Sequence, residues 1–199
     1  ELMITRIVDL QIINGGQTTA SLAEAVLKIK MDEEYKIKDK IRMLDREFCL
    51  RFVCFTQLDV EKEYTVLDEF LNKGMEYLSV TDENTLSQVY FEFEYVMKVS
   101  NELFGKFAFR RLNTEERRGP VNKSLFEAWS LIILGLSDSD INFLKNQKDV
   151  LRKKFTTLCD DYDFQNAIRA SDKTSVKSRI SKIQNMVNEL LGKKDENDQ

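Results

Sequence analysis

Histidine is absent from all 199 residues of the chain. Without it no Ser-His-Asp or Cys-His nucleophile pair, no HNH-type nuclease centre and no His-ligated metal can be assembled, so any catalysis has to use carboxylates, lysine, arginine or backbone groups. Proline occurs once and glycine seven times, too few turn residues for a β-sandwich. Together with 32% charged residues, this composition describes long helices with short connections, because helices exclude proline and tolerate Glu, Lys and Arg on wet faces. Cysteine is scarce too. Cys49, Cys54 and Cys159 are odd in number, match no zinc or redox spacing and stand in apolar helical surroundings, which predicts reduced core thiols and points to the cytoplasm. No apolar run reaches spanning length and no signal-peptide pattern is present, so a soluble cytoplasmic protein without membrane contact is expected. No fixed-period repeat occurs, which argues against a solenoid. The Glu at position 1 reads as the start of a fragment.

What is present is a large apolar fraction, 42% with 13 Phe, enough for a sizeable core. The formal charge of −4 argues against wrapping nucleic acid over the whole surface and leaves room for a local basic site. Residues 4–13, ITRIVDLQII, read as a strand entering the Asn14-Gly15-Gly16 turn, and Gln17-Thr18-Thr19 opens a helix. Residues 31–42 are charged and aperiodic, and a domain boundary is expected there. Helical periodicity then predicts one helix from Met43 through Leu58 and a second over about 60–78 presenting Tyr64, Leu67, Leu71, Met75 and Leu78. A third opens at Thr81 as its cap, with a stripe of Leu86, Val89, Phe93, Val96, Met97 and Leu103. FAFRRLNTEERRGP, following Gly105, is the least helical stretch. Asn122 caps a helix apolar nearly all round and therefore central, Ser137 begins another running through Phe155, a short one holds Phe164 to Ile168, and the last covers about 174–191. The expected fold is mainly α: a bundle-like helical domain over 42–192, a strand-turn-helix remnant of an α/β domain over 1–41, and a disordered tail over 193–199.

Two sets of residues resemble known families. INGGQTTASL aligns without a gap on the IDGQQRLTTL motif of the bacterial DGQQR defence proteins, which include the GmrS half of GmrSD restriction enzymes and whose first domain resembles the ParB and sulfiredoxin fold. MLDREFCLRFVCF, DEFLNKGMEYL, FGKFAFR and RRGPVNKSLFEAWSLII follow the order of the helical second half of those proteins. NGGQTT also looks like the NGxQT motif of abortive-infection phage-resistance proteins. The resemblance implies defence against phage and foreign DNA, use of a nucleoside triphosphate with a divalent metal, and DNA cleavage. By the same alignment Gly15 and Gln17 match the motif, while Asn14 and Thr18 stand at its Asp and Arg and Gly16 at a Gln. The lost groups are those that would bind a metal and hold a phosphate.

Two sites follow. Asn14, Gly15, Gly16, Gln17, Thr18 and Thr19 gather backbone N–H groups and hydroxyls at a helix start, where an anion such as a nucleotide phosphate is favoured; an ordinary capped glycine turn is the plainer reading. Arg110, Arg111, Arg117, Arg118 and Lys123 form the densest basic cluster, beside Phe107 and Phe109, and are candidates for nucleic-acid contact. The plainer reading there is neutralisation by Glu115, Glu116 and Glu127 as surface ion pairs. Lys173, Lys177, Arg179 and Lys182 read as a solvated basic face, and the aromatics of VYFEFEYVMK as core. A nucleotide-binding or nuclease-like defence component that contacts DNA is expected; a non-enzymatic helical module that binds a partner defence protein or itself is the alternative.

Overall fold

The computed structural model describes residues 44–115 and 117–192. The expected strand-turn-helix over 1–41, the tail over 193–199 and Glu116 lie outside the described residues. Within them the chain is mainly helical, with nine α-helices and no strand.

These are α1 (Leu44–Gln57), α2 (Val60–Glu63), α3 (Leu67–Val80), α4 (Glu83–Phe104), α5 (Lys123–Gly135), α6 (Asp138–Asn146), α7 (Lys148–Asp160), α8 (Tyr162–Ala167) and α9 (Lys173–Leu191). Helix α5 is the hub, as its all-round apolar sequence implies. Leu125, Phe126, Ala128, Trp129, Ile132 and Ile133 are all buried, and α1, α4 and α9 pack around them. Aromatic edges knit these layers together: Phe48 meets Phe126 at 4.9 Å, Phe104 meets Trp129 at 4.9 Å, and Trp129 meets Phe155 of α7 at 5.3 Å, each in a T-shaped arrangement. A smaller cluster of Cys54, Phe55, Tyr64, Phe70 and Val176 fills the space between α1, α3 and α9.

Side-chain caps set most of the helix starts. Asn122 accepts from the Leu125 amide, Asp161 from Phe164 and Asp172 from Ser175, while Ser137 and Asp140 form a capping box. The cap of α4 is Asp82, which accepts from the amides of Asn84 and Thr85. Thr81 instead ends α3 and donates its hydroxyl to the Tyr77 carbonyl; a carboxylate at the next position satisfies two amides where the hydroxyl would reach one.

Two expected helices are each split. The 60–78 segment breaks at residues 64–66, because a continuous helix would carry Tyr64 away from its slot, where it is fully buried and donates its hydroxyl to the Ser171 carbonyl at 2.5 Å. The helix expected from Ser137 through Phe155 turns at Gln147 and resumes to Asp160. The buried face of α3 also differs from the expected one. It is Phe70, Gly74 and Leu78, with Leu67, Leu71 and Met75 only half-buried. Gly74 gives no hydrophobic signal, yet it decides the register: a Cβ there would stand 2.2 Å from Cys54 Sγ and 3.2 Å from Leu50. The two helices approach so closely only because that position has no side chain.

Gly74→Ala should therefore destabilise the domain by about 1–3 kcal/mol, the usual cost of overpacking. Adding Cys54→Ala should recover part of the loss, so a double-mutant cycle by urea denaturation should be non-additive. An additive result would mean that α1 and α3 do not meet there.

Candidate functional site

The connection between α4 and α5 is long for a loop without secondary structure. After α4, Gly105 turns at φ 55° into a single 3-10 turn (Gly105–Phe107), and the described residues among 108–122 have no helix or strand. Loops of more than about 12–15 such residues are uncommon in compact domains and usually functional. This one is braced at several points. Phe109 sits at φ 58°, a left-handed backbone that costs a bulky residue about 1–2 kcal/mol. Glycine would be the relaxed choice, but the Phe109 ring is buried edge-on against Phe126 at 5.0 Å, and its carbonyl accepts from the Asn122 amide at 2.8 Å. The ring and the turn compete for one residue, and the ring's burial sustains the strain.

Polar side chains hold the rest. Arg110 is 8% exposed and donates to the Gly119 carbonyl at 2.8 Å and the Ala108 carbonyl at 3.0 Å. Arg111 is half-buried and donates to the Cys159 carbonyl near the end of α7 at 3.2 Å. Asn113 closes the tip in both directions, donating to the Arg117 carbonyl and accepting from the Arg117 amide. Asn122 reaches the Ile168 carbonyl as well as capping α5. Thr114, Glu115, Arg117 and Arg118 remain exposed. Of the five basic candidates, the fold places Arg117 and Arg118 at the tip and Arg110, Arg111 and Lys123 below it.

Lys123 leads into a second feature. Its Nζ donates to Glu47 at 2.7 Å, and the other Glu47 oxygen accepts from Arg51 Nη2 at 2.6 Å and Nε at 2.9 Å. Arg51 also pairs with Glu127, whose second oxygen pairs with Arg179. Arg179 further donates to the Ala167 and Ala170 carbonyls at 3.2 and 2.9 Å. Charge thus alternates from Lys123 through Glu47, Arg51 and Glu127 to Arg179, joining α1, α5 and α9. Burial disfavours ionisation of Glu47, but the hydrogen bonds from Lys123 and Arg51 outweigh it and hold its carboxyl below the ordinary 4.5. Burial likewise disfavours the Arg51 cation, and the Glu127 and Glu47 carboxylates reverse that and raise its pKa.

Two expectations are corrected here. Glu127 is not a surface partner of the loop arginines, since it is fully buried and engaged by Arg51 and Arg179. Arg179 does not belong to a solvated basic face, being 1% exposed. Lys177 and Lys182 are at the surface as expected, paired with Glu61 and Asp161. A usable signal lay in position rather than in residue type. Arg179 falls at helical spacing with buried Val176 and Ile183, and Glu127 is flanked by Leu125, Phe126, Ala128 and Trp129. A charge inside an apolar stripe has to find a buried counter-charge.

The other candidates divide as follows. Of the aromatics expected in the core from VYFEFEYVMK, only Phe93 is buried: Tyr90 and Tyr95 are half-buried and Phe91 is 61% exposed, the buried stripe being completed by Val89 and Val96. All three cysteines are buried free thiols, and burial pushes Cys54 up to about 12 and Cys159 up to about 11, so neither is a nucleophile near neutrality. Residues 14–19 lie outside the described residues. Among the described residues no group of three or more His, Cys, Asp or Glu could hold a metal ion, and no helix is long and apolar enough to cross a membrane.

The family model for AIPR protein matches residues 1–51, that is 51 of the 199 residues, about a quarter of the chain. Over that segment the chain is similar to AIPR proteins. The AIPR-like segment contains the NGGQTT motif and the first half of α1, with Glu47 and Arg51, and it supports the phage-resistance resemblance. Searches of curated proteins and of solved structures gave no match.

Glu127→Gln should leave two buried guanidinium groups short of a counter-charge and cost about 3–5 kcal/mol by denaturant titration. Joint replacement of Arg51, Glu127 and Arg179 by Met, Leu and Met should restore most of that stability. Because the Glu47 pKa is lowered from 4.5, its contribution is complete above that value and lost as pH falls through the lower folded-state value. Glu47→Gln should therefore flatten the acid limb of a stability-versus-pH curve below 4.5, whereas an unchanged limb would assign it to other carboxylates.

Proposed function

We propose that the chain is a component of an anti-phage defence system, in which Asn14 to Thr19 bind a nucleotide phosphate and the helical domain contacts DNA through the 108–122 loop. The AIPR match over residues 1–51 supports the defence role. The observation that carries the contact role is the loop itself, a long non-helical segment fixed by the strained Phe109 and by Arg110, Arg111, Asn113 and Asn122, with Arg117 and Arg118 at its exposed end. Binding loops of this kind sit on rigid scaffolds, because order already present in the free protein is not lost again on association. If the DGQQR resemblance extends to activity, the cofactors are a nucleoside triphosphate and a divalent metal, and the reaction is cleavage of DNA.

A second reading is favoured by the residues at the motif. Asn14 and Thr18 replace the Asp and Arg of the DGQQR pattern, so the chain would act as a non-enzymatic module that binds a partner defence protein or a second copy of itself.

Fluorescent ATP, GTP and a short DNA duplex, titrated with and without EDTA, separate the two. The first reading expects nucleotide binding weakened by joint Thr18→Ala and Thr19→Ala substitution, and duplex binding weakened roughly tenfold or more at low salt by Arg117→Ala with Arg118→Ala. Neither ligand binding at low salt would favour the partner-binding module. Binding that survives all four substitutions would remove both site assignments.

A further inference from the structure

Resting on the DNA-contact reading above, we infer that Asn113 is a positioning residue for Arg117: its side-chain amide fixes the backbone from which that arginine meets a phosphate, and it touches no DNA itself. A carboxamide carries a donor and an acceptor on one short arm, so it can stand in for a peptide group. Asn113 spends both on a single residue. Its Nδ2 donates to the Arg117 carbonyl at 2.9 Å, and its Oδ1 accepts from the Arg117 amide at 3.0 Å. Aspartate has no donor to offer that carbonyl, and alanine has neither group.

The placement of this pair separates it from the other braces of the loop. Arg110 closes on Gly119, Arg111 reaches Cys159 on α7, and Asn122 reaches Ile168 at the end of α8, so removing any of them loosens the base. Both bonds of Asn113 stay within residues 113–117 and reach no helix. What they order is the main chain on either side of the Arg117 Cα, while the Arg117 side chain stands exposed. An amide and a carbonyl held at once restrict both backbone torsions of the residue between them. The backbone entropy that a loose tip would surrender on meeting an anion has then been surrendered already in folding.

Affinity and its salt dependence together tell positioning from contact. On duplex DNA each neutralised phosphate contributes about 0.9 to the slope of log affinity against log salt, so Arg117→Ala in the full chain should lower that slope by about 0.9. Asn113→Ala should leave the slope and the melting temperature unchanged and weaken binding roughly fivefold or more, the factor expected when one residue's backbone has to be ordered on association. In the Arg117→Ala background, Asn113→Ala should cost little further, because the residue it orders no longer makes contact. A slope lowered by Asn113→Ala, or losses that add in the double variant, would make Asn113 a DNA contact in its own right and overturn the inference. So would undiminished affinity in Asn113→Ala, or a lowered melting temperature, which would place Asn113 among the general braces of the loop. If duplex binds at low salt and Arg117→Ala leaves the slope unchanged, the inference falls while DNA contact through other residues stands. If no duplex binds, the DNA-contact reading falls and the inference with it.

Discussion

A single buried carboxylate sets how three helices face one another. Glu127 lies in the middle of the most apolar helix and is fully buried, so its charge must be matched from both sides, by Arg51 on α1 and Arg179 on α9. Such pairs add little net stability, because the cost of removing three charges from water is close to what their attraction returns. Their geometry is the larger contribution. Apolar side chains tolerate a helix rotated or slid by a fraction of a turn, whereas a guanidinium that misses its carboxylate leaves a charge stranded in the core. The aromatic contacts of Phe48, Phe104 and Trp129 then fill an arrangement whose alignment the charges have restricted.

The same network is continuous with the loop above it. Lys123 is the first residue of α5 and closes on Glu47, so the C-terminal anchor of the 108–122 segment is tied to α1. At the other anchor the strained Phe109 is fastened to Phe126, the residue beside Glu127. The loop is therefore held at both ends by one stretch of α5. Its order follows from the hub beneath it, which is why an irregular segment can present two arginines from a fixed base.

Much of this architecture was legible in the sequence, and the failures have a common cause. The central position of α5 followed from its apolar residues on every side, and the Asn122 and Ser137 caps were read from hydroxyl and amide side chains before periodic segments. Periodicity counts large apolar residues, however, and the decisive residues here are of other kinds. Gly74 sets the α1–α3 approach by lacking a side chain, Tyr64 breaks a helix to reach the Ser171 carbonyl, and Arg179 and Glu127 look like surface charges until their neighbours in the stripe are considered. In the candidate site the loop was recognised as non-helical and basic, but its division into bracing and exposed arginines depends on carbonyls as distant in sequence as Cys159.

The AIPR match ends within a helix of the described fold. The match ends at Arg51, inside α1, whereas the core requires that helix through Gln57. Glu47 and Arg51, within the matched stretch, supply the counter-charges for Lys123 and Glu127, outside it. The seam between the recognisable and the unrecognised part of this protein thus runs through the middle of a folding unit. A polypeptide begun after Arg51 would lose Phe48 and Cys49 from the core and the counter-charges that Glu47 and Arg51 supply.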